Sequence, residues 1–118
     1  VLSQKNTLYK MPLLVWAAFI LVLSLMPPSS IPKSSIMGID KVAHLIFYFV
    51  FVWFCMVGWH VPLSNALFLA VSYGIVIEIL QHALTTQRQF DIYDIIANSL
   101  GALLYYVLKV FKSKLNSR

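Results

Sequence analysis

Only four acidic side chains occur in the 118 residues, Asp40, Glu78, Asp91 and Asp94, and each lies beside or inside an apolar stretch. Around them the sequence sets Lys41 and His44 behind Asp40, Gln81 and His82 behind Glu78, then Arg88, and Asn98 behind Asp94. Carboxylates beside ammonium, guanidinium and imidazole groups can hold a cation, share protons, or orient positive charge toward an anion. An Arg fork grips a carboxylate or a phosphate through two bonds, and Arg88 with Lys41 supplies the positive charge for either. An ionised Asp at a lipid-exposed helix centre costs roughly 2.5–3.5 kcal/mol, so such residues in apolar helices usually face a bundle interior and mark function.

The elements that must position these groups follow from composition. The chain is 60% hydrophobic and 11% charged, against roughly 45–50% and about 25% in an ordinary soluble domain. A water-soluble globular domain is thereby excluded. Four apolar stretches, 11–26, 42–59, 63–84 and 92–111, are each close to the ~20 residues that cross about 30 Å of hydrocarbon. The expected fold is an all-α membrane protein with four transmembrane helices in one compact bundle. A tail over 1–10 precedes it, the membrane domain occupies 11–111, and a basic tail follows over 112–118. Pro12 is acceptable in the first turn of the first helix, where N–H groups lack intrahelical partners. Residues 23–30 lack a small-residue cleavage site and carry Pro27 and Pro28, so the first stretch reads as a retained helix that stops there rather than as a signal peptide.

An even number of crossings puts both termini on one side of the membrane. Six basic residues lie on that side (Lys5, Lys10, Lys109, Lys112, Lys114, Arg118) and three on the other (Lys33, Lys41, Arg88). By the positive-inside rule both termini are expected in the cytoplasm. These terminal clusters read as orientation signals and not as a nucleic-acid stripe, so no nucleic-acid partner is expected. Cys55 has no second cysteine to pair with, and it carries no information on redox compartment.

On this topology three separate segments deliver their polar groups to one membrane depth, at the outer end. At 100° per residue, Asp91, Asp94, Asn98, Gly101 and Tyr105 share an arc of about 80° on the fourth helix. The same arithmetic groups Asp40, His44 and Tyr48 on the second helix, and Gly74, Glu78, Gln81 and His82 on the third, with Gly74 and Gly101 offering close helix approach. Each residue also has a plainer role. Asp91 or Asp94 can cap a helix start, Glu78 can be one half of a buried ion pair with Arg88 or Lys41, and His44 can donate to a carboxylate. Asn98 can bridge helices, while His60 and His82 fit the membrane interface. No zinc helix, phosphate loop, nucleophile elbow or EF-hand loop is present. No spacing specifies a metal site, and no cofactor is expected.

The ordered set Asp40-Lys41-x-x-His44, Glu78-x-x-Gln81, and Arg88-x-x-Asp91-x-x-Asp94-x-x-x-Asn98-x-x-Gly101 resembles the VanZ-like family of small bacterial membrane proteins. The likeness covers about residues 11–111. The family takes its name from a protein of glycopeptide-resistance clusters that raises resistance to teicoplanin rather than vancomycin, so the resemblance implies a cell-envelope role in the bacterial cytoplasmic membrane.

The expected function is recognition of an anionic envelope component, lipid-linked or phosphate-bearing, in an outward polar pocket. Lys41 and Arg88 would engage the anion, and Asp40, His44, Glu78, Gln81, Asp91, Asp94 and Asn98 would orient those cations or add hydrogen bonds. Membrane lipids, a lipid-linked cell-wall intermediate and a glycopeptide antibiotic are the expected partners. Three alternatives stay open: a membrane enzyme using Glu78, Asp94 or His44 as acid or base, a proton or cation pathway, and a purely structural cluster. A pathway would need polar residues along the whole crossing, whereas 50–57 and 66–71 are nearly all apolar.

Overall fold

The computed structural model describes residues 2–26, 39–84 and 91–117, with side chains from residue 8 onward. Four helices follow one another: α1 (Leu2–Leu25), α2 (Ile39–Trp59), α3 (Leu63–Leu84) and α4 (Ile92–Asn116). All four are long and apolar enough to cross a membrane. Large apolar side chains point outward, with Phe68 72% exposed, Leu14 53% and Ile79 52%. That arrangement would be untenable over such an area in water and is the expected one in lipid.

The helices outrun the apolar stretches at several ends. α1 begins at Leu2, within the segment read as a tail, so Pro12 lies inside the helix and not in its first turn. α2 starts at Ile39 and α4 continues past Phe111 to Asn116. Hydropathy marks the part of a helix that sits in hydrocarbon, whereas the helix itself runs on through the interface on residues such as Lys109, Lys112 and Lys114, which are good helix formers.

α2 packs against each of the other three helices, most extensively against α4, while α1 and α4 lie on opposite flanks without touching among the described residues. α2 and α4 run parallel: Lys41 meets Asp94, His44 meets Asn98, and Phe49 meets Tyr105 with ring centroids 5.4 Å apart. Small residues set the approach distance. A Cβ on Gly101 would run into the Leu45 backbone of α2, and one on Gly58 into the Tyr9 carbonyl of α1. On α3 the buried faces of Ala66, Ala70 and Gly74 recur every fourth residue, the spacing that lets membrane helices pack tightly without a hydrophobic driving force. The core between them is formed by Ile20, Tyr48, Phe51, Val52, Cys55, Ala66, Ala70 and Ala102.

α1 carries no charged face and is held through its backbone. The Tyr73 hydroxyl donates to the Ala17 carbonyl at 2.5 Å, Gln81 Nε2 to the Ser24 carbonyl at 2.8 Å, and Trp59 Nε1 to the Lys10 carbonyl at 3.1 Å. In return Trp16 Nε1 of α1 donates to the Phe47 carbonyl of α2 at 2.8 Å. α2 and α3 are joined by the three residues 60–62, where His60 takes a left-handed φ of 53°; His is among the non-glycine residues that tolerate this conformation. The Val61 N–H closes the turn on the Cys55 carbonyl at 3.2 Å.

Candidate functional site

The polar faces of α2, α3 and α4 meet at one end of the bundle. α4 starts there because Asp91 adopts an extended conformation and its Oδ1 accepts the Tyr93 N–H at 2.9 Å, a helix N-cap. The other oxygen of the same carboxylate, Asp91 Oδ2, accepts from Lys41 Nζ at 2.8 Å. Capping and charge pairing, open alternatives at the level of sequence, are both performed by this one side chain.

Lys41 is the hub. Its ammonium lies 2.5 Å from Asp94 Oδ1, 2.8 Å from Asp91 Oδ2 and 3.1 Å from Asp40 Oδ2. Three carboxylates therefore surround one cation, and the three donors of an ammonium suit three such acceptors. Asp40 is exposed on its helix, while Asp94 is largely enclosed. The Lys41 hydrogen bond holds Asp91, which lies just outside the spans, below the usual carboxylate range, and the Tyr93 backbone bond acts in the same direction.

One turn deeper, His44 sits between an amide and a carboxylate. Its Nδ1 is 2.9 Å from Asn98 Oδ1 and its Nε2 is 3.7 Å from Asp94 Oδ1. Asn98, 2% exposed, lies against Gly74 of α3, where an added Cβ would come within 2.9 Å of Nδ2. Asn98 thus bridges α4 to α2 while filling the space Gly74 leaves, the interhelical role open to it from sequence.

Glu78 is 1% exposed, and its Oε1 accepts the Asp91 N–H at 2.8 Å. Among the described residues its Oε2 has no partner, and the same holds for the buried Tyr48 hydroxyl. Lys41 pairs with Asp40, Asp91 and Asp94 instead of Glu78. Two buried polar atoms without partners among the described residues, next to a carboxylate cage, are unusual in a protein.

Of the residues singled out from sequence, Asp40, Lys41, His44, Asp91, Asp94 and Asn98 form one connected network. Glu78 joins it through the Asp91 backbone, and Gln81 is buried beside it with its amide donating to Ser24. His82 is exposed on α3 and His60 on the turn. Arg88 lies outside the described residues. Tyr48 belongs to the site in a way sequence reasoning misses. Its shared face with Asp40 and His44 is the available signal, but an aromatic in a membrane helix ordinarily reads as packing. Among the described residues no three His, Cys, Asp or Glu side chains converge as metal ligands.

Below this network the interior is apolar, with Val52, Cys55, Ala66 and Ala70 fully buried. The polar groups therefore form a cluster at one end and not a column through the bundle. Chemically the cluster offers, among the described residues, more hydrogen-bond acceptors than donors, with Lys41 serving three carboxylates and Glu78 Oε2 unpartnered.

No curated protein and no solved structure matches this chain. The family model described as VanZ/LLP1 matches residues 2–113 of the 118, so the chain, with its four spans and the polar network built on the motif residues, belongs to the VanZ/LLP1 family.

Proposed function

We propose that this VanZ-family protein is a ligand-binding membrane protein of the bacterial envelope, with both termini in the cytoplasm and the carboxylate-rich end facing outward. The observation that carries the reading is the surplus of acceptors at that end: Lys41 already serves three carboxylates, and Glu78 Oε2 beside them has no partner among the described residues. A lipid-linked cell-wall intermediate suits such a site in two ways. Its hydroxyl and amide donors would satisfy the carboxylates, and its phosphate would compete for Lys41 with Arg88 as the second cation. The packed apolar interior favours binding at one end over a proton or cation pathway through the bundle.

Native mass spectrometry in mild detergent tests this. The wild type should retain an isoprenoid phosphate or lipid-linked sugar that Lys41→Ala and Arg88→Ala both release while remaining folded. Bare protein in every sample, with equally folded variants, would overturn it and turn attention to a structural cluster. The link to glycopeptides is tested separately in cells. Expression should raise teicoplanin resistance more than vancomycin resistance, and Glu78→Gln, at normal protein levels, should abolish the effect. Unchanged susceptibility with the wild-type protein would detach the resistance role from this member.

A further inference from the structure

At the opposite end of the bundle, α2 and α4 still flank one another. Between their C-terminal halves lies a groove of about 680 Å³ lined by Phe49, Trp53, Tyr105, Leu108, Lys109 and Lys112, with Ser113 and Asn116 beyond. Its upper wall is aromatic and aliphatic and its lower rim is basic. The α4 contributors recur at helical spacing on one face. Lys114, two residues past Lys112, is turned away by about 200°.

We propose that this groove binds one anionic phospholipid from the surrounding bilayer, its acyl chain lying on Phe49, Trp53, Tyr105 and Leu108 and its phosphate held between Lys109 and Lys112. Three observations favour that occupant. Charge is uncompensated among the described residues here, because all four acidic side chains lie in the other end and no described carboxylate pairs with Lys109 or Lys112. Depth is right, since Lys109 and Lys112 lie about 22–27 Å along α4 from Asp94, close to the full thickness of the hydrocarbon, where headgroups begin. Size is right as well: the volume holds a headgroup and the first methylenes, within the ~300–1,000 Å³ typical of small-molecule sites, and leaves the tails to run along the exposed helix faces. A second copy of the chain fits less well, because two such faces would oppose lysine to lysine.

The lysines also count toward the positive-inside bias, and the experiment separates the two roles. The purified protein in mild detergent is equilibrated with equal amounts of phosphatidylglycerol and phosphatidylcholine, and retained lipid is read by native mass spectrometry. Near a membrane surface each lysine contributes about fivefold to anionic-lipid binding. Lys109→Gln with Lys112→Gln should therefore lower the phosphatidylglycerol preference about 25-fold, whereas Lys114→Gln, removing one charge from the other face, should leave it unchanged. Trp53→Ala should loosen both lipids alike. Equal retention of the two lipids by the wild type, an equal loss in Lys114→Gln, or a lipid-free dimer that covers the groove would each overturn the proposal. None of these outcomes touches the carboxylate end, so the two sites fail or stand independently.

Discussion

The seam between α2 and α4 is closed at one end and open at the other. In the closed half, Gly101 lets the Leu45 backbone come against α4, and Lys41, His44, Asp94 and Asn98 clasp the helices across the contact. In the open half, Leu108, Lys109 and Lys112 take the places of small residues and line the groove with Phe49 and Trp53. The same two helices thus change from a tight polar joint to a grooved contact within about three turns. Side-chain size sets where the groove begins, because in lipid no hydrophobic pressure forces it shut.

The contrast between the two halves breaks most readily at Gly101. Gly101→Ala, which drives a methyl into the Leu45 backbone, should cost about 3 kcal/mol by overpacking and register as a large drop in the melting temperature in detergent. An unshifted melt would mean that the closed half is no tighter than the open one.

Lys41→Met comes next. It leaves Asp40, Asp91 and Asp94 facing one another without their shared cation, and since Lys41 is about a third exposed the expected loss is about 2 kcal/mol, less than for a fully buried pair. Combined with Asp94→Asn, part of the loss should be recovered, with a coupling of about 1 kcal/mol in a double-mutant cycle. Strict additivity would show that the ammonium and Asp94 do not act together.

A smaller effect is expected from acid. Lys41 holds the folded pKa of Asp91 below the ordinary 3.8. The resulting stabilisation is complete above that ordinary value and is lost as pH falls through the depressed folded value. The wild type should therefore lose more stability between about pH 5 and pH 2 than Lys41→Met does; parallel acid profiles would remove Lys41 as the cause.

Smallest of all is Leu108→Ala in the open half. With Leu108 49% exposed, it should change stability by about 0.5 kcal/mol or less. A cost comparable to that of Gly101→Ala would mean that the groove is closed in detergent.

Much of the closed half is legible in the sequence. Asp91, Asp94, Asn98, Gly101 and Tyr105 share a helical face by spacing alone, and all five turn toward α2 in the structure. A polar face in a membrane helix can only turn inward, so periodicity is decisive there. The position of α1 is not legible for the same reason. Over 11–23 its residues are apolar on every side, and what locates it is acceptance at its carbonyls from Tyr73 and Gln81, which no side-chain pattern within α1 announces. The adjacency of α2 and α4 is legible only as matching polar faces, because lipid gives no contrast between a buried Val52 and an exposed Val57. Gly58, pressed against the Tyr9 carbonyl, is not set apart as a contact by any helical polar face in the sequence.

The clasp also has a consequence for how the chain is made. Lys41 waits for Asp91 and Asp94, which follow it by 50 and 53 residues. At roughly 5–20 residues per second, translation takes about 3–10 s to produce that stretch. During this interval Asp40 is the only one of the three clasping carboxylates available to Lys41. A ribosome that stops before residue 91 would release a chain whose Lys41 lacks two of its three carboxylate partners, a mark by which an unfinished product differs from a finished one.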